Sequence, residues 1–278
     1  MTHFGELWLD IAHAVLPVMQ RYRRDTTGLS ISQKRDGTLL TAADLEVQDL
    51  IVDALLRYDP LAEIVAEEGF AKLAGDNFPE RLWVIDPIDG TSQFADNSSV
   101  EFCSVVAVLE AGWPAACMIL APELRPGRAP LLITSPGEGR AVLLDGVPAA
   151  PAPRTQNVAA TRSRTAPVAP IESAAVLAGF AVKTSGTSQT LDMARTALDL
   201  TSATGLSSFR WFVASNQLLW DAAAGLTLAG AGGRLARDPL GNALDLNGIN
   251  ILGPAAPRIP GTIVATPEDL AWIVAHMV

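Results

Sequence analysis

The chain has 278 residues, 49% of them hydrophobic, and a formal net charge of −10, so it can bury a sizeable core beneath an acidic surface. Such a surface repels nucleic acid backbones and anionic membranes, and we expect neither a nucleic acid polymer nor a membrane as a partner. It also repels a small phosphorylated molecule, unless bound cations reverse the sign of the charge locally.

The first two predicted elements are helices. Apolar residues at helical spacing predict the first, at Phe4, Leu7, Trp8, Ile11 and Val15. Pro17 is expected to kink or end it, because proline lacks the amide hydrogen and its ring collides with the preceding turn. The second helix is predicted from Thr41 to Tyr58, with Thr41 as N-cap and Asp44 as its partner three residues on.

Strands are predicted next. Residues 82–85 form a short apolar run that suits a buried strand and ends in Asp86-Pro87. Residues 100–110 and 115–120 are rich in β-forming residues and are separated by a turn, which predicts a hairpin. A proline-rich stretch then suggests a boundary between an N-terminal α+β lobe, residues 1–135, and a C-terminal α/β lobe, residues 136–278.

The second half alternates between helical and extended patterns. The predicted helices are 171–179, 191–201, 221–231 and one that begins at Pro267. The predicted strands are 158–160 and 262–265. This alternation predicts a layered α/β arrangement in the C-terminal half.

The most informative motif is the stretch from Trp83 to Thr91. An apolar strand delivers Asp86 and Asp89 onto a turn, and Gly90 lets the backbone approach a ligand closely. Two carboxylates so close repel each other unless a proton or a cation lies between them. Because Mg²⁺ prefers carboxylate, phosphate and water oxygens, the motif predicts a magnesium site beside a phosphate.

Three further acidic signals are weak when taken singly. Glu67 and Glu68 follow an apolar run, where they could bind a metal or form a solvated loop. Asp44 fits a metal site or an ordinary capping box. Asp221 lies where a helix is predicted to begin, so it could bind a metal, serve as the N-cap, or do both.

Other catalytic classes lack their motifs. The three histidines, His3, His13 and His276, lie near the chain ends, where a histidine triad or zinc cluster is not expected. No phosphate-binding loop of the G-x-x-x-x-G-K-[ST] type is present. Cys103 and Cys117 are too few for a disulfide framework, and we expect two buried, reduced thiols in a soluble cytoplasmic protein.

Taken in order, these motifs resemble the inositol monophosphatase superfamily. The matching pieces, from Lys34 to Gly233, are Lys34, Thr-x-x-Asp, Glu-Glu, Asp-Pro-Ile-Asp-Gly-Thr, Trp-Asp with Ala-Ala-Gly, and Gly-Gly. That superfamily includes inositol monophosphatases, 3′(2′),5′-bisphosphate nucleotidases, some histidinol phosphatases and fructose-1,6-bisphosphatases. The resemblance implies a layered αβαβα sandwich, a homodimer, and hydrolysis of a phosphomonoester with two or three Mg²⁺ ions.

The resemblance also assigns roles to residues. It implies that the metal ligands are Glu67, Asp86, the Ile88 carbonyl, Asp89 and Asp221. The catalytic set would be Asp44, Thr91 and Glu67, with Asp44 and Thr91 orienting the attacking water. The amides of Gly90 and Thr91 would hold the phosphate. Lys34 would lie near a weakly held metal, with Glu68 beside the ligands, and the substrate alcohol would face Gly186, Thr187 and Ser188.

The substrate stays open at this point. Thr161-Arg162-Ser163-Arg164 faintly resembles the Ser-Arg-Ser-His of bacterial bisphosphate nucleotidases, and residues 207–211 match no element of the family. An inositol monophosphatase-like activity is the first expectation. The alternatives are a 3′(2′),5′-bisphosphate nucleotidase, a histidinol-phosphate phosphatase, and a non-catalytic member of the fold that binds metal and regulates a partner.

Overall fold

Two β-sheets with helices between and outside them form the structure. It is a computed structural model that describes residues 4–25, 30–33, 39–75, 77–136, 140–163, 169–251 and 255–277. The helices are α1 (Gly5–Arg24), α2 (Ala42–Tyr58), α3 (Thr91–Asp96), α4 (Ala169–Leu177), α5 (Gln189–Ala197), α6 (Thr201–Thr204), α7 (Leu219–Ala231) and α8 (Pro267–Ala275). None of the helices in the described ranges is both long and apolar enough to cross a membrane.

The larger sheet has eight strands in the order β10-β9-β8-β7-β6-β5-β3-β4, and β1 pairs with β2 in a separate ribbon. Their bounds are β1 (Ile31–Gln33), β2 (Leu39–Thr41), β3 (Glu63–Ala66), β4 (Ala71–Lys72), β5 (Arg81–Asp89), β6 (Cys103–Glu110), β7 (Trp113–Ala121), β8 (Leu131–Ser135), β9 (Leu143–Leu144) and β10 (Val147–Pro148). All neighbours in this sheet are antiparallel except β3 and β5, which are parallel.

The smaller sheet has five strands in the order β12-β11-β13-β15-β14. Their bounds are β11 (Val158–Ser163), β12 (Ala181–Lys183), β13 (Phe212–Leu218), β14 (Leu235–Arg237) and β15 (Arg258–Ala265). The chain passes from one sheet to the other between Pro148 and Val158, because the β9–β10 hairpin still extends the edge of the larger sheet. This crossing between the sheets lies later in the chain than the predicted lobe boundary between residues 135 and 136. The division of the chain into two lobes at that boundary stays a prediction.

Both faces of the larger sheet are buried. Along β6, Val106 and Val108 pack with α1 and α2, whereas Val105 and Leu109 pack with α5 and α7. Burial on both sides explains why this strand is a continuous apolar run rather than an alternating one. Helices α4 and α8 contribute to a third cluster with β11, β13 and β15. The resulting layers confirm the predicted αβαβα sandwich.

Helix α7 lies in the middle of this sandwich, and its sequence fits that place. Almost every residue from Leu219 to Ala229 is buried, as expected of a helix that is apolar on all sides. Gly225 allows α7 to approach α5, since a Cβ there would stand 2.5 Å from the Met193 Cβ. The close contact brings the first turn of α7 to the end of β5.

Helix α1 continues to Arg24, so Pro17 does not end it, and the alternative that Pro17 kinks the helix stays a prediction. An interior proline costs about 3 kcal/mol when it removes a helical hydrogen bond. Here Pro17 and His13, whose carbonyl loses its amide partner, lie on the exposed face, where water can solvate that carbonyl. The opposite face buries Trp8, Ile11 and Met19 in the core, which stabilises the helix across the proline.

Candidate active site

Glu67 and Asp86 meet because the two strands that precede them are parallel neighbours. Ala66 at the end of β3 lies opposite Ile85 in β5, so the next residue of each strand falls at the same edge of the sheet. The Glu67 amide donates to the Ile85 carbonyl at 3.1 Å, which extends the pairing by one residue. The predicted pairing of these two carboxylates is therefore built by the register of β3 on β5.

Asp86 and Asp89 face the same region because β5 is irregular between them. In a regular strand, residues three apart point to opposite faces of the sheet. Asp86 pairs with Val105 and Asp89 with Cys103, so the register shifts by one residue between the two pairs. A bulge of this kind re-aims side chains and is common beside active sites.

Asp221 comes to the site from α7, the central helix. It is the third residue of that helix, and the N-cap is Leu218, which makes no side-chain capping bond. The interpretation of Asp221 as an N-cap is therefore wrong. Its carboxylate lines the same cleft as Glu67, Asp86 and Asp89.

Asp86 lies at the centre of these acidic groups. It is 1% exposed, and within the described ranges its Oδ1 atom has no hydrogen-bond partner. Burial raises the pKa of Asp86 well above its ordinary range, and the charges of Glu67, Asp89 and Asp221 raise this pKa further. A buried carboxylate among three others is costly unless a proton or a cation neutralises it.

The donor set fits a hard divalent cation, because it consists only of carboxylate and carbonyl oxygens. Within the described part of the chain, no three acidic, histidine or cysteine side chains are grouped tightly enough to form a complete metal site by themselves. The orphaned Oδ1 of Asp86 is the atom that a cation would satisfy.

Asp89 is held by the beginning of α5. The Ser188 hydroxyl donates to Asp89 Oδ2 at 2.8 Å, and the Thr190 amide donates to the same oxygen at 2.7 Å. The Gln189 amide donates to Oδ1 at 3.2 Å. Ser188 is fully buried and also caps α5 by accepting from the Leu191 amide. It faces Asp89, which differs from the predicted contact between Ser188 and the substrate.

Gly90 and Thr91 form the turn that follows Asp89. Gly90 has φ of +93°, and a Cβ there would stand 3.0 Å from the Glu101 carbonyl oxygen. Only glycine fits this turn without strain. Thr91 begins α3, and its hydroxyl donates to the Ile88 carbonyl at 2.9 Å. Both residues line the cleft beside the carboxylates.

Asp44 belongs to the capping box that the sequence indicates. Its Oδ2 atom accepts from the Thr41 amide at 2.8 Å and from the Thr41 hydroxyl at 2.5 Å. The Asp44 side chain is fully buried. Glu68, the neighbour of Glu67, is fixed through its amide, which donates to Gln48 Oε1 at 3.0 Å. Lys34 lies outside the described residues.

The cleft has a volume of ≈ 280 Å³ and joins the two sheets. Gly186 and Thr187 line it, and their contact with the substrate alcohol stays a prediction. Gln93 links the walls, since its Nε2 donates to the Gly186 carbonyl at 2.8 Å. Arg162 also lines the cleft, although only a faint motif marks it in the sequence.

Two glutamines at the site were not found from the sequence. Gln189 Nε2 donates to Gln217 Oε1 at 2.7 Å and to the Asp221 carbonyl at 3.2 Å, so the residue joins Asp89 to Asp221. No local signal marks Gln189. Gln48 has a local signal in the sequence, because Asp44 and Gln48 are two polar residues, four apart, on the buried face of α2.

Comparisons with known proteins find relatives in sequence and in fold. The sequence model described as "Inositol monophosphatase family" matches residues 7–271. The chain is 29% identical over 97 residues to the 3'(2'),5'-bisphosphate nucleotidase CysQ of Salmonella typhimurium, covering 35% of this chain and 39% of that protein. It is 35% identical over 107 residues to the histidinol-phosphatase of Mycobacterium tuberculosis, covering 38% and 40%.

The alignments thus span less than half the length of these curated relatives. Among solved structures, the extragenic suppressor protein suhB of Bartonella henselae superposes with a TM-score of 0.76 at 19% identity, covering 98% of this chain and 97% of that one. At this low sequence identity, the similarity to the suhB structure concerns the fold alone.

Proposed function

The chain belongs to the inositol monophosphatase family, and on that premise we propose that it is a Mg²⁺-dependent phosphomonoesterase acting on a small phosphorylated alcohol. One observation carries the proposal. Asp86 is buried, has an oxygen without a partner among the described residues, and is surrounded by the charges of Glu67, Asp89 and Asp221. Such a group is costly in a stable fold unless it is neutralised, and a bound cation would neutralise it and satisfy the unpartnered oxygen.

Five groups would hold the cations. They are the side chains of Glu67, Asp86, Asp89 and Asp221 and the carbonyl of Ile88, all of which line the cleft. These groups would hold two or three Mg²⁺ ions, and Asp86 would be a central ligand because it lies among the other carboxylates. Bound Mg²⁺ supplies Lewis acidity, which lowers the pKa of water and neutralises charge on phosphate and leaving-group oxygens.

The residues of the chain position the reactants. The amides of Gly90 and Thr91, at the edge of the cleft, are assigned to the phosphate oxygens. The Thr91 hydroxyl already donates to Ile88, so its lone pairs can accept a hydrogen bond from the attacking water. Glu67 borders the same space and is assigned to accept the second hydrogen bond of that water. Asp44, which accepts hydrogen bonds from Thr41, is assigned with Thr91 to orient that water.

The test is phosphate release from one preparation offered inositol 1-phosphate, 3′-phosphoadenosine 5′-phosphate and histidinol phosphate. We expect turnover with Mg²⁺, none with EDTA, and a fall of at least about 1,000-fold in Asp86→Asn. Asp53→Asn, which changes an exposed aspartate on α2, is the matched control and should keep full activity. Full turnover in EDTA or in Asp86→Asn would refute the proposal.

The non-catalytic alternative makes a different prediction for the same preparation. It expects tight Mg²⁺ binding together with no phosphate release from any substrate in the panel. We also retain the cytoplasmic homodimer as part of the proposal, on the strength of family membership. Sedimentation of the purified protein at several concentrations tests the dimer.

A further inference from the structure

Arg162 occupies a place in the cleft that the proposed hydrolysis does not use. It lies in β11, opposite Ala214 of β13, and it lines the same cleft as the carboxylates. The side chain is 19% exposed, so it is not wholly enclosed by the protein. Its Nη1 atom is 3.9 Å from the position that a Cβ on Gly186 would occupy, beside the predicted binding region for the alcohol.

The guanidinium is only partly bonded. Arg162 Nη2 donates to Asp192 Oδ2 at 3.1 Å. Within the ranges that the structure describes, Nε is buried without a partner and Nη1 makes no hydrogen bond. An arginine keeps its charge at all ordinary pH values and offers five donors, so unmet donors in a cleft call for an anionic acceptor.

A network of charges holds Arg162 in this position. Lys183 Nζ donates to Asp192 Oδ1 at 2.6 Å, to Thr187 Oγ1 at 2.7 Å and to Glu101 Oε2 at 3.2 Å. Arg195 Nη1 donates to Glu101 Oε1 at 2.7 Å. The side chain of Asp192 is 2% exposed, so its pairing with Arg162 is well shielded from water.

This network carries an excess of positive charge. Among the described residues joined by these bonds, three cations (Arg162, Lys183 and Arg195) share two carboxylates (Glu101 and Asp192), so the bonded set carries one net positive charge. That excess is notable in a chain whose net charge is −10. Of the three cations, Arg162 is the one that can present this positive charge to a ligand, because it is the member of the network that lines the cleft.

We infer that Arg162 is a specificity residue that binds a second anionic group of the substrate, a phosphate or a carboxylate carried on the far side of the alcohol. The inference rests on the proposed phosphatase function and narrows its substrate class to doubly anionic phosphomonoesters. Guanidinium groups pair well with both kinds of anion. A neutral polyol monophosphate would leave the donors of Arg162 unsatisfied, and such a substrate should be turned over less efficiently.

The test uses substrate pairs that differ only in the second anion. One pair is 3′-phosphoadenosine 5′-phosphate against adenosine 3′-phosphate, and the other is 3-phosphoglycerate against glycerol 3-phosphate. We expect kcat/KM of the wild type to favour the doubly anionic member of at least one pair by about 10- to 100-fold. Arg162→Gln should remove this preference while changing the singly anionic member by less than about threefold, and Arg162→Lys should restore part of it.

Arg81→Gln, which breaks an exposed ion pair with Glu110, is the matched control and should leave every ratio unchanged. An equal loss on both members of each pair in Arg162→Gln would mean that Arg162 only supports the fold, and the inference would fall while the phosphatase proposal stood. If the wild type released phosphate from nothing, the phosphatase proposal would fail instead. Calorimetric binding of the two adenosine nucleotides to the wild type and to Arg162→Gln then decides the role of Arg162, because affinity for the second phosphate requires no turnover.

Discussion

The Ser188 hydroxyl lies 2.8 Å from Asp89 Oδ2 and donates to it, so the start of α5 holds a carboxylate that belongs to the larger sheet. Two backbone amides of the same helix, from Gln189 and Thr190, bond to Asp89 as well. A proposed metal ligand therefore also fixes helix α5 to strand β5. The same three donors therefore orient the Asp89 carboxylate and help to hold the two sheets together.

Ser188→Ala should weaken Mg²⁺ binding, because hydrogen bonds that orient a ligand commonly change metal affinity by about 10- to 100-fold. The two amides still hold Asp89, so we expect a loss near the lower end of that range. The free energy of unfolding should fall by about 1–2 kcal/mol, since a buried acceptor loses a donor. Calorimetric titration with Mg²⁺ and urea unfolding measure the two effects. Ser202→Ala, on the exposed surface of α6, is the control, and an unchanged Mg²⁺ affinity in Ser188→Ala would contradict the argument.

Gly90→Ala should destabilise the protein and reduce activity together. The new Cβ would meet the Glu101 carbonyl oxygen at 3.0 Å, and a non-glycine residue at φ of +93° is strained by about 1–3 kcal/mol. Gly127→Ala separates the two causes, because Gly127 also has positive φ but has no atom within 4 Å of a new Cβ. Urea unfolding of both variants measures the difference. Equal losses in the two would show that the contact with Glu101 is harmless.

Asp86→Asn should stabilise the metal-free protein while abolishing its stabilisation by Mg²⁺. The substitution removes a buried charge that Glu67, Asp89 and Asp221 repel, and it also removes a proposed ligand. Thermal unfolding in EDTA measures the stability of the metal-free protein. Thermal unfolding at Mg²⁺ concentrations that increase in 10-fold steps measures the stabilisation by the metal. The wild type should gain midpoint temperature with Mg²⁺ and the variant should not. A metal-free variant less stable than the wild type would show that the repulsion is already relieved by some other means.

Cys103 and Cys117 should be inert thiols in the native protein. Burial raises the pKa of Cys117 to about 12 and raises the pKa of Cys103 well above its ordinary range. Because the thiolate forms more readily in the unfolded chain, each thiol stabilises the fold fully below its unfolded pKa. That contribution is lost as the pH rises through the window between the unfolded and the folded pKa.

Two measurements check this expectation. A disulfide reagent at pH 8 should label no thiol in the folded protein and two after denaturation in urea. Between about pH 9 and pH 12, the free energy of unfolding should fall less steeply in Cys117→Ala than in the wild type, by up to about 1.4 kcal/mol per pH unit. Rapid labelling at pH 8 without denaturant would show that the β6–β7 region opens readily.

The sequence predicted those parts of the site that depend on near neighbours. The capping box of Thr41 and Asp44 formed as expected, because its two hydrogen bonds join residues three apart on a helix. The strand before Asp86 and the turn at Gly90 follow from a short apolar run and a glycine. Pro17 does not end the first helix, because that outcome depends on which face of α1 meets water.

By itself the sequence determined the chemical content of the cleft: which oxygen donors are available, and that Asp86 and Asp89 share one strand and turn. Only the tertiary structure decided where the side chains point, because one extra residue in β5 changes the face that Asp89 occupies. The same holds for Arg162, whose partner Asp192 stands 30 positions away in the chain and is shared with Lys183, 21 positions from Arg162. Charged residues so far apart in the chain come into contact only when the two sheets and their helices have packed, and no local sequence pattern indicates this contact.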